Sequence, residues 1–485
     1  MLFWSCVAVL VLAVLLGGGT GSGFLGDVVT QAAAALLLCV ALWPNLKRPE
    51  WGVRERTIAV AVLPVALVIA LQIFPLPFRI WAGGESLLAR DGASAIVPLT
   101  AWETFSLTPQ ATWAAAASLL VPIAIFCAVV RLNYQQRRML CWIVLGLGAL
   151  SLVIGFFQVA QGTGSSLRFY SRTNLTEAVG FFANRNHFAI LLVVCLVLLG
   201  YWLTTAKVDR WAFSSKLLLW VAIALVFVSF LSGVMLARSR AGVLLAMLAI
   251  GGIAAIYFAS RRRDASGQGN YTRTRTVVSV ALIAMLLAVQ FGLGRLATRF
   301  EEESLDSLRL RFAGAAAHSA IKSLPFGSGI GSFVPVYGAV EKSDHVRPLY
   351  ANRAHNDLAE IFLETGILGA ILVLTFLAWF LRLGWAVWRT PSDPEAAGVT
   401  ALNRAATVII VALLLHSLVD YPLRTTALAA IFAFFCGVLA IPATCEPPAR
   451  FRHRQSQLHP REKVRPEAWV SEVTWPEDWQ RTAPG

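Results

Sequence analysis

The chain has 485 residues, 57% hydrophobic and 14% charged. Soluble domains carry about 25% charged residues, so a string of soluble domains is excluded and an all-α polytopic membrane protein is expected. The net charge of +14 would suit nucleic acid if the basic residues formed a patch. Most lie instead in short loops between apolar runs, as membrane topology requires, and a nucleic-acid partner is set aside.

Apolar runs long enough to cross a bilayer fall at about 1–17, 27–43, 57–78, 111–130, 139–160, 181–203, 215–237, 241–260, 276–296, 358–388, 401–420 and 424–441, which predicts about twelve transmembrane helices. Met1 to Leu16 lacks a basic leader and a cleavage site and reads as a retained first span rather than a signal peptide. Thr108-Pro109 pairs a cap residue with proline at the first helical position, a strong start for the fourth span. Six of the seven cysteines (Cys6, Cys39, Cys127, Cys141, Cys195, Cys436) lie inside apolar runs and Cys445 just follows one. None has metal-ligand spacing, and they read as small buried apolar residues.

The loops alternate in charge. Lys47, Arg48, Arg54 and Arg56 share one connection; Arg131, Arg137 and Arg138, then Lys207, Arg210 and Lys216, then Arg261, Arg262, Arg263, Arg273 and Arg275, then Arg382, Arg389 and Arg404 mark the others of that set. The positive-inside rule makes these loops cytoplasmic and places both termini inside. The opposite loops lie at about 18–26, 79–110, 161–180, 238–240, 297–357 and 421–423. The expected organisation is therefore helices 1–9 over 1–296, a large periplasmic loop over 297–357, helices 10–12 over 358–441, and a Pro-, Arg- and Glu-rich cytoplasmic tail over 442–485, disordered by composition. Within the large loop, Leu305, Leu308, Phe312 and Ala316 have the spacing of an amphipathic helix lying at the interface. The Gly327–Ser332 stretch lacks a nucleotide loop's Gly-Lys-Ser/Thr ending and reads as a tight turn.

Chemistry concentrates at Arg353-Ala354-His355-Asn356-Asp357-Leu358-Ala359-Glu360. Asn356 is a good N-cap, so a helix starts at Asp357 with His355 at its mouth, where unpaired N–H groups favour an anion. Glu360 and Glu364 fall one turn apart on one face. Gly366 lies about three turns beyond His355, ~16 Å along the axis, and Gly369 extends a small-residue strip suited to close helix packing. His355 either caps a helix or exchanges a proton with a hydroxyl nucleophile. Arg238 and Arg240 occupy a hairpin that the charge pattern places outside, against the positive-inside bias. They either snorkel to lipid phosphates or form a fork for a phosphate or pyrophosphate. Arg309 and Arg311 invite the same fork, or belong to a solvated helix face. His187 marks the outer mouth of the sixth span, and His416 and Asp420 fall one turn apart near the outer end of the eleventh; polar residues there serve function or helix–helix glue. His355, Asp357, His345 and Asp344 lack zinc-type spacing, and no metal or other cofactor is expected.

His355-Asn356, nine residues, Gly366, two residues, Gly369 resembles the pattern of the O-antigen ligase family, whose domain the polysaccharide polymerases share. Pro325 to Phe333, Ser239-Arg240, His416 to Pro422 and Asn184 to Ala189 are similar to the family too. The likeness covers roughly 180–440. It implies a GT-C-like, metal-independent glycosyltransferase of the bacterial inner membrane, with its active site periplasmic. The donor would be an undecaprenyl-diphosphate-linked glycan and the acceptor a lipid A–core sugar, another lipid-linked repeat, or a protein hydroxyl. Carried over by motif, Arg240 would hold the donor diphosphate, with Arg309 or Arg311 as the second arginine, and His355 would be the base or the group orienting the acceptor hydroxyl. Ligase and polymerase need the same donor site and are not distinguished. A transporter or flippase of lipid-linked sugar would place ionisable or helix-breaking residues near mid-membrane; here they gather at one boundary.

Overall fold

In a computed structural model, the chain is described over residues 1–21, 24–47, 52–77, 102–205, 213–261, 305–341, 351–390 and 396–441. The helices are α1 (Leu2–Leu16), α2 (Leu25–Lys47), α3 (Val53–Ile73), α4 (Pro109–Arg131), α5 (Tyr134–Ala160), α6 (Arg185–Thr205), α7 (Phe213–Leu236), α8 (Arg240–Arg261), α9 (Leu305–Lys322), α10 (Phe333–Val340), α11 (Asp357–Arg389), α12 (Ala397–Ser417) and α13 (Thr426–Leu439). Nine of those described are long and apolar enough to cross a membrane, while α1 and α13 are shorter apolar helices. The expected all-α membrane architecture holds, apart from one short antiparallel ladder pairing Pro75–Pro77 with Trp102–Thr104. The expected span at 276–296 and the tail at 442–485 lie outside the described residues.

Two boundaries differ from the hydropathy reading for stereochemical reasons. The sixth span begins at Arg185 rather than 181, because Gly180 adopts φ +56° and the chain turns through Asn184 before the helix starts. The last begins at Thr426 rather than 424, after a 3₁₀ turn at Pro422–Arg424. α4 does begin at Pro109, but Thr108 makes no side-chain cap; its carbonyl accepts from Thr112 instead.

α6 and α12 form the enclosed centre. Every residue of α6 from Asn186 to Trp202 is buried, as suits a helix that is apolar all round. α8 packs between them through glycines: a Cβ on Gly200 would meet Ile253 at 2.4 Å, and one on Gly252 would meet Val408 at 2.6 Å. Cys6, Cys127, Cys141, Cys195 and Cys436 are buried as expected, whereas Cys39 is exposed and Cys445 lies outside the described residues.

Among the described residues, contacts between connections fall into two groups. In one, Ala183 N–H donates to Gly18 O at 3.0 Å, Ala178 N–H to Leu236 O at 3.3 Å, and Asn352 Nδ2 to Thr20 O at 3.4 Å. In the other, Arg54 reaches Arg131 O at 3.2 Å, the Tyr134 and Tyr201 hydroxyls meet at 2.9 Å, and Arg138 stacks 4.3 Å above Trp202.

Candidate active site

The first of these groups adjoins the turn after α12. Asp420 N–H donates to His416 O at 2.9 Å, ending the helix, and Pro422 follows. Asp420 is fully buried and gathers donors from several elements. His355 Nδ1 lies 3.1 Å from Oδ1, which also accepts from Tyr421 N–H at 3.0 Å. Oδ2 accepts from Asn184 Nδ2 at 3.2 Å and Asn186 Nδ2 at 2.5 Å, and Arg309 Nη2 stands 3.9 Å away. Burial by itself would raise this carboxyl; the His355 hydrogen bond and the Arg309 charge outweigh it and hold the group well below the ordinary carboxylate range. An ionised carboxylate only accepts, so a neutral His355 carries its proton on Nδ1 and presents Nε2 as a lone pair.

His355 is aimed by its backbone. Its φ of +52° is a left-handed conformation, a local strain of order 1 kcal/mol or more for a non-glycine residue, and its neighbours fix it. Ala354 N–H donates to Glu360 Oε2 at 2.9 Å. Asn356 caps α11 by accepting from Ala359 N–H at 3.0 Å, and its Nδ2 donates to Leu418 O at 2.9 Å. The N-cap and helix start thus stand where the sequence puts them. Around the imidazole, the Tyr421 ring meets it edge-on at 4.8 Å and Phe312 lies near-parallel at 6.2 Å.

Beneath this cluster Arg424 sits among three carboxylates: Nη1 is 2.9 Å from Glu364 Oε2 and 3.6 Å from Glu360 Oε1, and Nε is 3.7 Å from Asp357 Oδ1. Burial opposes the charge on Arg424, but the Glu364, Glu360 and Asp357 carboxylates more than offset it and hold its proton more tightly than usual. Arg353 adds a second cation at 2.9 Å from Glu360, and Ser417 donates to Asp357 at 2.8 Å. Asp357 and Glu360, read from the sequence beside His355, therefore belong to this supporting network.

The glycine-rich stretch 327–332 is a turn, folded onto α11. Glu364 Oε1 accepts from Gly331 N–H at 2.8 Å, Glu364 O from Gly329 N–H at 2.9 Å, and Pro325 O from Ile367 N–H at 2.8 Å. Gly366 has φ +56° and ψ −139°, a non-helical residue that kinks α11; a Cβ there would meet Pro325 O at 2.3 Å and Gly327 N at 2.6 Å. The sequence suggests one unbroken helix with small residues facing another helix. Gly366 instead admits the 325–327 turn, and at Gly369 a Cβ would strike Thr365 Oγ1 of its own helix. The expected helix over this stretch is present as α9, and its apolar face packs inward: Ala316 and Ala320 pack with Phe333, Ala351, Ala354 and Leu363, and Phe312 joins them from the edge.

The arginines separate. Arg309 joins the Asp420 cluster, whereas Arg311 is exposed. Arg238, in a left-handed conformation at φ +51°, and Arg240 are exposed on either side of buried Ser239, which caps α8 by accepting from Gly242 N–H at 3.0 Å. A Cβ on Gly242 would meet Ala189 Cβ at 2.7 Å, so the Arg240 turn stands beside the same end of α6 that supplies Asn184 and Asn186. His187 lies in the first turn of α6 and is wholly buried, its ring 5.1 Å from Tyr421 and 6.4 Å from His416. Among the described residues no three His, Cys, Asp or Glu side chains converge as metal ligands.

Sequence reading gives Asn184, Asn186, Tyr421 and Arg424 no role in the site. For the first two the signal was three polar residues, Asn184-Arg185-Asn186, at the head of an otherwise apolar helix. For Arg424 it was the single cation in a short turn between two apolar runs.

No curated protein matches the chain. Residues 225–374 match the family described as O-antigen ligase, a segment running from α7 through Arg240, Arg309 and His355 to beyond the kink at Gly366. That segment, about a third of the chain, is similar to the O-antigen ligase family.

Proposed function

We propose that the protein transfers a glycan from undecaprenyl diphosphate to an acceptor hydroxyl on the periplasmic face of the bacterial inner membrane, in the manner of an O-antigen ligase. The observation that carries this reading is the His355–Asp420 pair at 3.1 Å, with Arg309 3.9 Å from the same carboxylate. A base with its lone pair set by a buried anion stands beside a cation suited to a diphosphate. His355 Nε2 takes the proton of the acceptor hydroxyl as its oxygen bonds to the anomeric carbon. The bond from that carbon to the diphosphate breaks, and its electron pair leaves on the diphosphate. Arg309 and Arg240 stabilise that growing charge, with Arg238 nearby in the same turn and Arg311 exposed on α9 as lesser candidates. Attack opposite the leaving group inverts the anomeric configuration.

Deletion of the gene followed by gel analysis of surface glycans tests the reaction. Loss of long chains from the lipid A–core with accumulation of lipid-linked polymer marks a ligase. Single repeats left on the core mark a polymerase, and an unchanged glycan pattern removes the proposal. His355→Ala should insert and fold yet lose transfer by about 10²–10⁴-fold, the range for general base catalysis; full activity in that variant would take His355 out of the mechanism. Arg240→Lys keeps the charge and loses the planar fork, so it should weaken donor binding.

A further inference from the structure

Asp420 is shared unequally between its partners. Oδ2 accepts hydrogen bonds from two amides, Asn184 Nδ2 at 3.2 Å and Asn186 Nδ2 at 2.5 Å, while the Arg309 guanidinium beside it stays at 3.9 Å, beyond hydrogen-bond reach. The Asn184 amide is held in this orientation: its Oδ1 accepts from Asn186 N–H at 2.9 Å, which leaves Nδ2 for the carboxylate. Both asparagines are buried at the head of the enclosed helix α6, and Arg309 is the more exposed partner, on α9. Two donors fill the lone pairs of one carboxylate oxygen. A cation beside a filled oxygen helps keep the carboxylate ionised by Coulomb attraction but forms no charge-assisted hydrogen bond to it.

We infer that Asn184 and Asn186 are positioning residues that keep Arg309 available to the donor: by occupying Oδ2 they stop Asp420 from capturing the guanidinium that must grip the diphosphate. The inference rests on the donor assignment proposed above and adds two residues from outside the 225–374 family segment to donor recognition. Removing one amide leaves a buried carboxylate oxygen short of a donor. Arg309 then closes the remaining ~1 Å to form a direct bond and is withdrawn from the substrate.

The experiment uses the full chain in lipid nanodiscs with undecaprenyl diphosphate as the probe. Asn186→Ala and Asn184→Ala should each weaken its binding by about tenfold, the loss expected when a cation must be pulled from a direct carboxylate bond. In the transfer reaction the donor KM should rise by a similar factor while kcat stays within about threefold. Arg309→Ala combined with Asn186→Ala should bind no worse than Arg309→Ala alone, because the amide acts through that arginine. Thermal melting checks folding, and if Asn186→Ala does not fold, Asn184→Ala, which removes the longer bond, carries the test. Wild-type probe affinity in a folded asparagine variant overturns the inference, as does a fall in kcat with KM unchanged, which would mean the amides serve His355 alone. Tight probe binding by a wild-type protein that transfers no glycan would sink the proposed reaction and leave the inference standing. Failure of the wild-type protein to bind the probe would sink both.

Discussion

Arg424 Nη1 lies 2.9 Å from Glu364 Oε2, and this contact ties the turn carrying Asp420 to the first turns of α11, which His355 leads into. Glu360 and Asp357 approach the same guanidinium at 3.6 and 3.7 Å. The distance between His355 and Asp420 therefore depends on a cation that contacts neither.

Arg424→Leu would leave three buried carboxylates without their central cation. Breaking a buried pair by removing one partner costs about 3–5 kcal/mol, so the variant should melt well below the wild type in detergent. Arg424→Lys keeps the charge without the fork and should fall between the two. A leucine variant that melts with the wild type would show that Arg353 alone holds the network.

Asp420 gives a pH dependence whose sign follows from its depressed carboxyl. Between the folded value and the ordinary value of ~3.9 the unfolded chain binds more protons than the folded one, so stability rises with pH through that window. The contribution is complete above the ordinary value and is lost as pH falls through the folded one. Acidification should lower the melting temperature of the wild type more steeply than that of Asp420→Asn, whose amide does not titrate. Parallel slopes in the two proteins would contradict this.

Gly366→Ala meets two obstacles, a φ of +56° and backbone atoms of Pro325 and Gly327 at 2.3 and 2.6 Å. With ψ at −139° the residue lies outside the left-handed helical well, in a sparsely populated region that costs about 1–3 kcal/mol once a Cβ is present, and rigid backbone cannot yield as a side chain can. Lower stability and lower transfer are expected together, whereas Gly314→Ala, with open space around its Cβ position, should alter neither.

Orientation is tested by a cysteine introduced at the exposed Leu310. An impermeant thiol reagent should modify it in intact spheroplasts. Five of the six described native cysteines are buried, which keeps background labelling low. Protection until the membrane is opened would place α9 in the cytosol and end the periplasmic reading.

The bundle was legible in the sequence because a lipid-spanning helix must be apolar over a fixed length, and α3, α4, α5, α7 and α8 announce themselves that way. His355, Asn356 and Asp357 were legible because capping is local: Asn356 sits three residues before the N–H it accepts. What composition and spacing could not give were contacts between distant segments. Asn186 meets Asp420 from 234 positions away, and nothing in the pattern of α6 distinguishes a polar head that reaches a carboxylate from one that reaches water. The kink at Gly366 was hidden for a similar reason: glycine is tolerated inside membrane helices, and only the 325–327 turn pressed against it shows why this one leaves the helical region.

That kink divides α11 mechanically. The whole of Asp357–Arg389 would measure ~50 Å as a straight rod, well over the ~30 Å of hydrocarbon it has to cross. The stretch below Gly366 is ~34 Å long and suffices as a membrane crossing unaided. It can lean to suit a thicker or thinner bilayer, while the short piece above, bolted through Glu364 to Arg424, keeps its place. A change of tilt below the kink would then leave the Glu364–Arg424 contact in place.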